Sequence, residues 1–160
     1  MAAAWLAFLA ATSNDRCHPE PTTRSRESPD MNQDDKSDAW KKGYAARSKV
    51  LGEAYVEKAF ADADDLTLDL QNYLTEHAWG ASWARPGLDF KTRSMLNLAM
   101  ITALNRPHEL EVHLRGALRN GVTRAEIKEI LLHTAVYCGA PAALDSFRIA
   151  RKVFAEQDPA

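Results

Sequence analysis

The chain has 160 residues, 46% of them hydrophobic, and its 20 Lys and Arg against 22 Asp and Glu leave a formal net charge of −2. That length fits one globular domain with a core of useful size. Near-balanced charge with no dense Lys/Arg run offers no electrostatic footprint for nucleic acid or an anionic membrane, so neither is expected as a partner.

The chain opens with an apolar run, MAAAWLAFLAA, followed by a polar Pro/Ser/Thr-rich stretch to residue 30. The run is too short to span a bilayer. A signal-peptide core is one reading, but no Lys or Arg precedes it and no disulfide framework follows. The other reading takes Met31 as the true start. Residues 1–30 are therefore read as a disordered leader or upstream extension, and 31–160 as the helical domain. Cys17 and Cys138 form no C-x-x-C pair and no zinc spacing, which points to a reduced, cytoplasmic protein with Cys138 as a small core residue.

From residue 38 the apolar spacing is helical and the alternation expected of strands is missing, so the fold class is all-α. Helices are expected at 38–48, 53–61, 66–79, 89–104, 108–119, 123–138 and 141–156. Thr123 and Glu126 have the spacing of a capping box, and Asn120–Gly121 supplies the preceding stop. Pro141 suits a first helical turn. The 89–104 segment, DFKTRSMLNLAMITAL, is apolar nearly all round, as a spine covered on every side would be. The second half of 123–138 carries two apolar faces: Ile127, Ile130, Leu131, Thr134 and Cys138 on one, Leu132 and Val136 nearly opposite. Another subunit or the seventh helix would cover the second face equally well.

Between the third and fourth helices, residues 77–94 (HAWGASWARPGLDFKTRS) read as a loop that combines two tryptophans, Trp79 and Trp83, with the cation Arg85 and a Pro–Gly turn. Arg93 falls in the first turn of the next helix, where the dipole opposes a cation and a nearby anion would compensate. Arg85 stacked on a tryptophan at the surface is the plainer alternative.

Along 108–119, Leu110, Leu114, Ala117 and Leu118 form the buried stripe, and Glu109, His113 and Gly116 share its edge. Gly116 lowers helix stability by about 1 kcal/mol relative to Ala, which a close approach by another backbone or by a ligand would explain. The Glu109–His113 pair is either an acid–base site or an ordinary surface i,i+4 pair, and the helical wheel alone favours the second. Glu126, His133 and Tyr137 form another arc that could line the same cavity, or could be a bonded tyrosine beside a filler histidine. His77, His108, His113 and His133, with Glu109, match no metal-ligand spacing, and no metal is expected.

Taken together, Trp79–Gly80, Trp83, Arg85–Pro86–Gly87–Leu88, Thr92–Arg93–Ser94, His113 and LRNGVTRAEIKEILLHTAVYCGAPAA resemble the carboxymuconolactone decarboxylase family, a likeness running over about residues 50–154. The resemblance implies an alkylhydroperoxidase D-like helical fold and a ring-like homo-oligomer, most simply a hexamer. It also implies cofactor-free decarboxylation of 4-carboxymuconolactone to the 3-oxoadipate enol-lactone in protocatechuate breakdown. Matched on His113, the peroxidases of the same superfamily would have cysteines where Arg106 and Glu109 stand, and a glutamate where Ser94 stands. Without those thiols dithiol peroxidase chemistry cannot run. The implied catalytic groups are His113 as proton donor, Glu109 orienting it and keeping it protonated, and Arg93 on a carboxylate or oxyanion. Arg85, Trp79, Trp83, Ser94, Arg106, His133 and Tyr137 are the implied substrate-binding residues. The alternatives are a related enzyme on another lactone or carboxylate, and a catalytically silent helical oligomer.

Overall fold

The computed structural model describes residues 33–157, and all regular structure within them is helical. The expectations for residues 1–30, including Cys17, lie outside the described residues. The order is α1 (Asp38–Leu51), α2 (Glu53–Ala61), α3 (Leu68–Tyr73), a π-helix (Leu74–Trp83), α4 (Phe90–Ala103), α5 (Pro107–Arg119), α6 (Arg124–Cys138) and α7 (Ala140–Gln157).

Local chemistry sets most of the boundaries. The Ser37 hydroxyl accepts from the Trp40 N–H to start α1, which runs three residues past its expected end to Leu51 and stops at Gly52, where φ is 95°. Asp89 accepts from the Thr92 N–H at the start of α4. Thr123 and Glu126 form the expected reciprocal capping box on α6, and Pro107 occupies the first turn of α5. Each of these satisfies or dispenses with backbone N–H groups that a helix start leaves without partners.

The segment expected to leave the helix after Trp79 stays helical through Trp83 with a widened turn, so the loop is confined to 84–89. The Ala84 N–H donates to the Trp79 carbonyl at 2.8 Å, five residues back. Such i→i+5 geometry is uncommon and concentrates at functional sites. Two close crossings seat the element on α1: a Cβ on Gly43 would run into the Thr75 carbonyl, and one on Gly80 into the Ala39 carbonyl. Buried Arg47 of α1 adds bonds to Thr75 Oγ1 at 3.0 Å and Gln71 Oε1 at 2.6 Å.

Two clusters make up the core. Leu98, Leu110, Leu114, Ala117, Val122, Ile127, Leu131, Ala150 and Val153 fill the space between α4, α5, α6 and α7. Trp40, Ala46, Val50, Leu51, Val56, Phe60, Trp79 and Trp83 fill that between α1, α2 and the π-helix. α5 packs on α4, α7 and α1 and so touches both clusters. Gly116 is where it crosses α1: a Cβ there would sit 3.0 Å from the Val50 carbonyl, so the close approach is by backbone.

Three expectations change. α4 is covered on one face only: Leu98 is buried, but Leu96, Met100 and Leu104 are about half or more exposed in the single chain. On α6 the Ile127/Leu131/Thr134 face is buried against α4 and α7, whereas Leu132 and Val136 stay exposed, so the seventh helix covers only one of the two apolar faces. Cys138 is an exposed thiol and not a core residue, because it is the last residue of α6, at the helix end.

Candidate active site

The widened turn of the π-helix brings Trp79 and Trp83, four residues apart, onto one side of the helix. Their rings stack with centroids 4.8 Å apart. Both are nearly buried, at 6% and 8% exposure. From the middle of α5, the His113 ring lies almost parallel to both indoles, 6.3 Å from each, at 8° to Trp79 and 21° to Trp83. Phe90, at the start of α4, extends the aromatic row with its ring 6.1 Å from Trp83. Lys49 Nζ caps that row, 4.8 Å from the Phe90 centroid. Sequence reasoning missed Phe90 and Lys49; an aromatic one turn before Arg93 was the available signal for the first, and nothing local marked the second.

Burial beside the indoles governs the electrostatics of His113. Burial against them pushes its pKa below the usual histidine value, and the charge of Glu109, one turn earlier, pulls it back only in part. The expectation that Glu109 keeps His113 protonated is therefore corrected: desolvation of the charged form outweighs the nearby carboxylate. Glu109 is itself exposed, so water screens its field.

At the C-terminal end of the π-helix, Arg93 turns back toward the loop. Its Nε donates to the Leu88 carbonyl at 3.2 Å and its Nη2 to the Arg85 carbonyl at 3.1 Å. These carbonyls supply the negative counterpart that a cation at the start of α4 calls for. Arg85 is exposed, and its guanidinium has no partner among the described residues.

The remaining candidates lie elsewhere. Ser94 is buried and accepts from Asn120 Nδ2 at 2.9 Å, tying α4 to the end of α5. Arg106, at the N-terminus of α5, lines a small crevice with Asp145 and Ser146 of α7. His133 and Tyr137 are exposed on α6 with rings 4.8 Å apart. α6 packs on α4 and α7 and not on the π-helix, so the single chain does not bring these two rings to His113. A groove of about 300 Å³ between α6 and α7, lined by Ile127, Leu131, Phe147 and Phe154, is likewise separate from the aromatic row. Among the described residues no group of three or more His, Cys, Asp or Glu gathers as a metal-ligand set, and no helix is long and apolar enough to cross a membrane.

The site thus combines an imidazole whose pKa is lowered, stacked on a buried aromatic wall, with an exposed guanidinium, unpaired among the described residues, two positions beyond Trp83. Such a pairing suits proton delivery to an anionic substrate. The chain is 42% identical over 115 residues to a 4-carboxymuconolactone decarboxylase of Acinetobacter baylyi, covering 72% of this chain and 86% of that protein. It is 46% identical over 110 residues to a nitrosuccinic acid decarboxylase of Metarhizium robertsii, covering 69% and 77%. Residues 69–152, which hold Trp79, Trp83, Arg85, Arg93, Glu109 and His113, match the model of the Carboxymuconolactone decarboxylase family. With that match and relatives at this identity across most of their lengths, the chain belongs to the carboxymuconolactone decarboxylase family.

Proposed function

We propose that this protein is a carboxy-lyase that converts 4-carboxymuconolactone to the 3-oxoadipate enol-lactone in protocatechuate breakdown. The observation that carries the reading is His113 stacked on Trp79 and Trp83, with exposed Arg85 two residues beyond Trp83 in the chain. Loss of CO2 from this lactone leaves an electron pair that delocalises through the ring C=C onto the lactone carbonyl oxygen. The substrate is its own electron sink, so the chemistry calls for no cofactor.

Three tasks remain for the chain. Arg85 holds a carboxylate, for which a guanidinium fork is geometrically matched. The indole wall excludes water from the carboxylate that leaves, removing hydration that stabilises the ground state. His113 delivers a proton to the ring carbon. It is depleted of charge in the free protein, and the substrate's carboxylates supply the negative field that draws a proton onto it on binding.

The second relative favours one other reading. Nitrosuccinic acid also pairs carboxylates with a group that accepts electrons, its nitro group, so the same residues would serve. We also place the protein in the cytoplasm, in keeping with its free exposed Cys138. Exposed Leu96, Met100, Leu104, Leu132 and Val136 support assembly into a homo-oligomer, which we take to be a hexamer. Light scattering of the purified protein tests that number directly, and a monomer would remove it.

The deciding experiment follows CO2 release from freshly generated 4-carboxymuconolactone and, in parallel, from nitrosuccinate, against a no-protein control. Saturable release from the lactone, lost in His113→Gln, is expected. Faster turnover of nitrosuccinate moves the assignment to that substrate, and no release above the control from either leaves a silent helical oligomer.

A further inference from the structure

Arg93 and Arg85 look interchangeable in sequence, two guanidiniums flanking one turn. Their surroundings in the fold differ. Arg93 spends two adjacent donors of its fork, Nε and Nη2, on the Leu88 and Arg85 carbonyls. The Arg85 carbonyl lies just past the C-terminal end of the π-helix, where a cation is favoured by the helix dipole. The Arg85 N–H in turn donates to the Ser82 carbonyl at 3.1 Å, and the Thr92 N–H donates to Asp89 at 2.7 Å. One side chain therefore ties the end of the tryptophan-bearing helix to the beginning of α4 and closes the turn on which Arg85 sits. Arg85 follows Trp83 by two residues, within about 7 Å of extended chain, and among the described residues its side chain has no hydrogen bond or ion pair to hold it.

We propose that Arg93 is a positioning residue: it clamps the 85–88 turn so that the free guanidinium of Arg85 is presented at the aromatic wall as the carboxylate-binding group. The assignment rests on the decarboxylase reading for its substrate, and it divides that site's two arginines between different roles. A lysine keeps the charge of Arg93 but lacks the planar fork needed to reach both carbonyls in fixed geometry.

The test combines kinetics with amide hydrogen exchange on Arg85→Met, Arg93→Met, Arg93→Lys and the Arg85→Met, Arg93→Met pair, in the full chain. Arg85→Met is expected to raise KM on the order of tenfold to a hundredfold with a smaller change in kcat, as for loss of a charge-assisted hydrogen bond. Both Arg93 variants are expected to raise KM about tenfold and to speed exchange across residues 84–92 while the α6 and α7 amides stay protected. The paired variant is expected to be no worse than Arg85→Met within about twofold, because a residue acting only through Arg85 has nothing left to act on. Losses that multiply in the pair would mean that Arg93 binds substrate itself and would overturn the proposal. So would Arg93→Lys with a wild-type KM, or unchanged exchange in Arg93→Met. If the wild-type protein turns over neither substrate, the decarboxylase reading falls, and exchange across 84–92 by itself decides whether Arg93 is a clamp.

Discussion

The two halves of the core are built from different materials. The α4–α7 cluster is aliphatic, with Leu98, Leu114, Ile127, Leu131 and Val153 at 0% exposure. The cluster under the π-helix is dominated by Trp40, Phe60, Trp79 and Trp83. Aliphatic side chains interdigitate without polar edges or ring faces and give a rigid floor. Large flat rings instead create a wall that can be dry on one side and still meet a ligand. α5 separates the two, so adjacent residues of one helix serve different ends: Leu114 is fully buried in the floor and His113 lies along the wall. The proposed chemistry and the aliphatic packing thereby fall in different regions, which substitutions in one or the other should separate.

Breaking the wall at its proposed proton donor should have the largest effect. Replacing His113 with Gln is expected to lower kcat by roughly 10²–10⁴-fold, the usual worth of a positioned proton donor, while the melting temperature changes little. Steady-state CO2 release and thermal unfolding on one preparation check both halves. Leu131→Ala, in the floor, should do the reverse. It is expected to destabilise the fold by about 2–5 kcal/mol through lost burial and a cavity, with kcat retained below the lowered melting temperature; denaturant titration measures it.

Gly80→Ala joins the regions, because its methyl would meet the Ala39 backbone and push the π-helix off α1. A destabilisation of roughly 1–3 kcal/mol is expected, together with reduced activity from displaced tryptophans. A variant with altered stability and full activity would show that the wall tolerates this shift.

The smallest effect is electrostatic. In the proposed mechanism the active donor is protonated His113, and burial lowers its pKa in the free protein. Activity as kcat/KM should therefore fall as pH rises through that lowered value. The kcat limb should lie at higher pH, because bound carboxylates favour the imidazolium. Glu109 opposes the lowering, so Glu109→Gln should move the kcat/KM limb to still lower pH, with little change in its maximum. The linked stability has a definite sign. The unfolded chain binds this proton more readily than the folded one, so His113 withdraws stability as pH falls below the ordinary histidine range. That portion of acid sensitivity should be absent from His113→Gln in unfolding measured across the same pH range.

Much of this division could be read from the residues in order. Helical periodicity and caps located α4 to α7 within a residue or so, since Asp89, Pro107, Thr123 and Gly121 act on their nearest neighbours in the chain. His113 and the two tryptophans stood out because their spacing resembles a known family, and the structure gathers those three. His133, Tyr137 and Arg106 lay at plausible helical positions too, yet α6 and the start of α5 face other neighbours. A helical wheel gives the direction of a side chain from its own axis, not the identity of the helix that meets it.

The sequence by itself determined an all-helical chain, its turn signals, and the presence of a histidine, two tryptophans and two arginines suited to an anionic substrate. Tertiary structure decided the rest. Whether Gly43 and Gly80 mark turns or a close helix crossing depends on backbone approach between segments far apart in the chain, and that crossing seats the widened helix behind Trp79 and Trp83. The charge state of His113 depends on how much water burial in the fold removes, which outweighs the local i,i+4 partner. The roles proposed for Arg85 and Arg93 depend on which carbonyls lie within 3.2 Å of a guanidinium, a distance set by the fold around both ends of one turn.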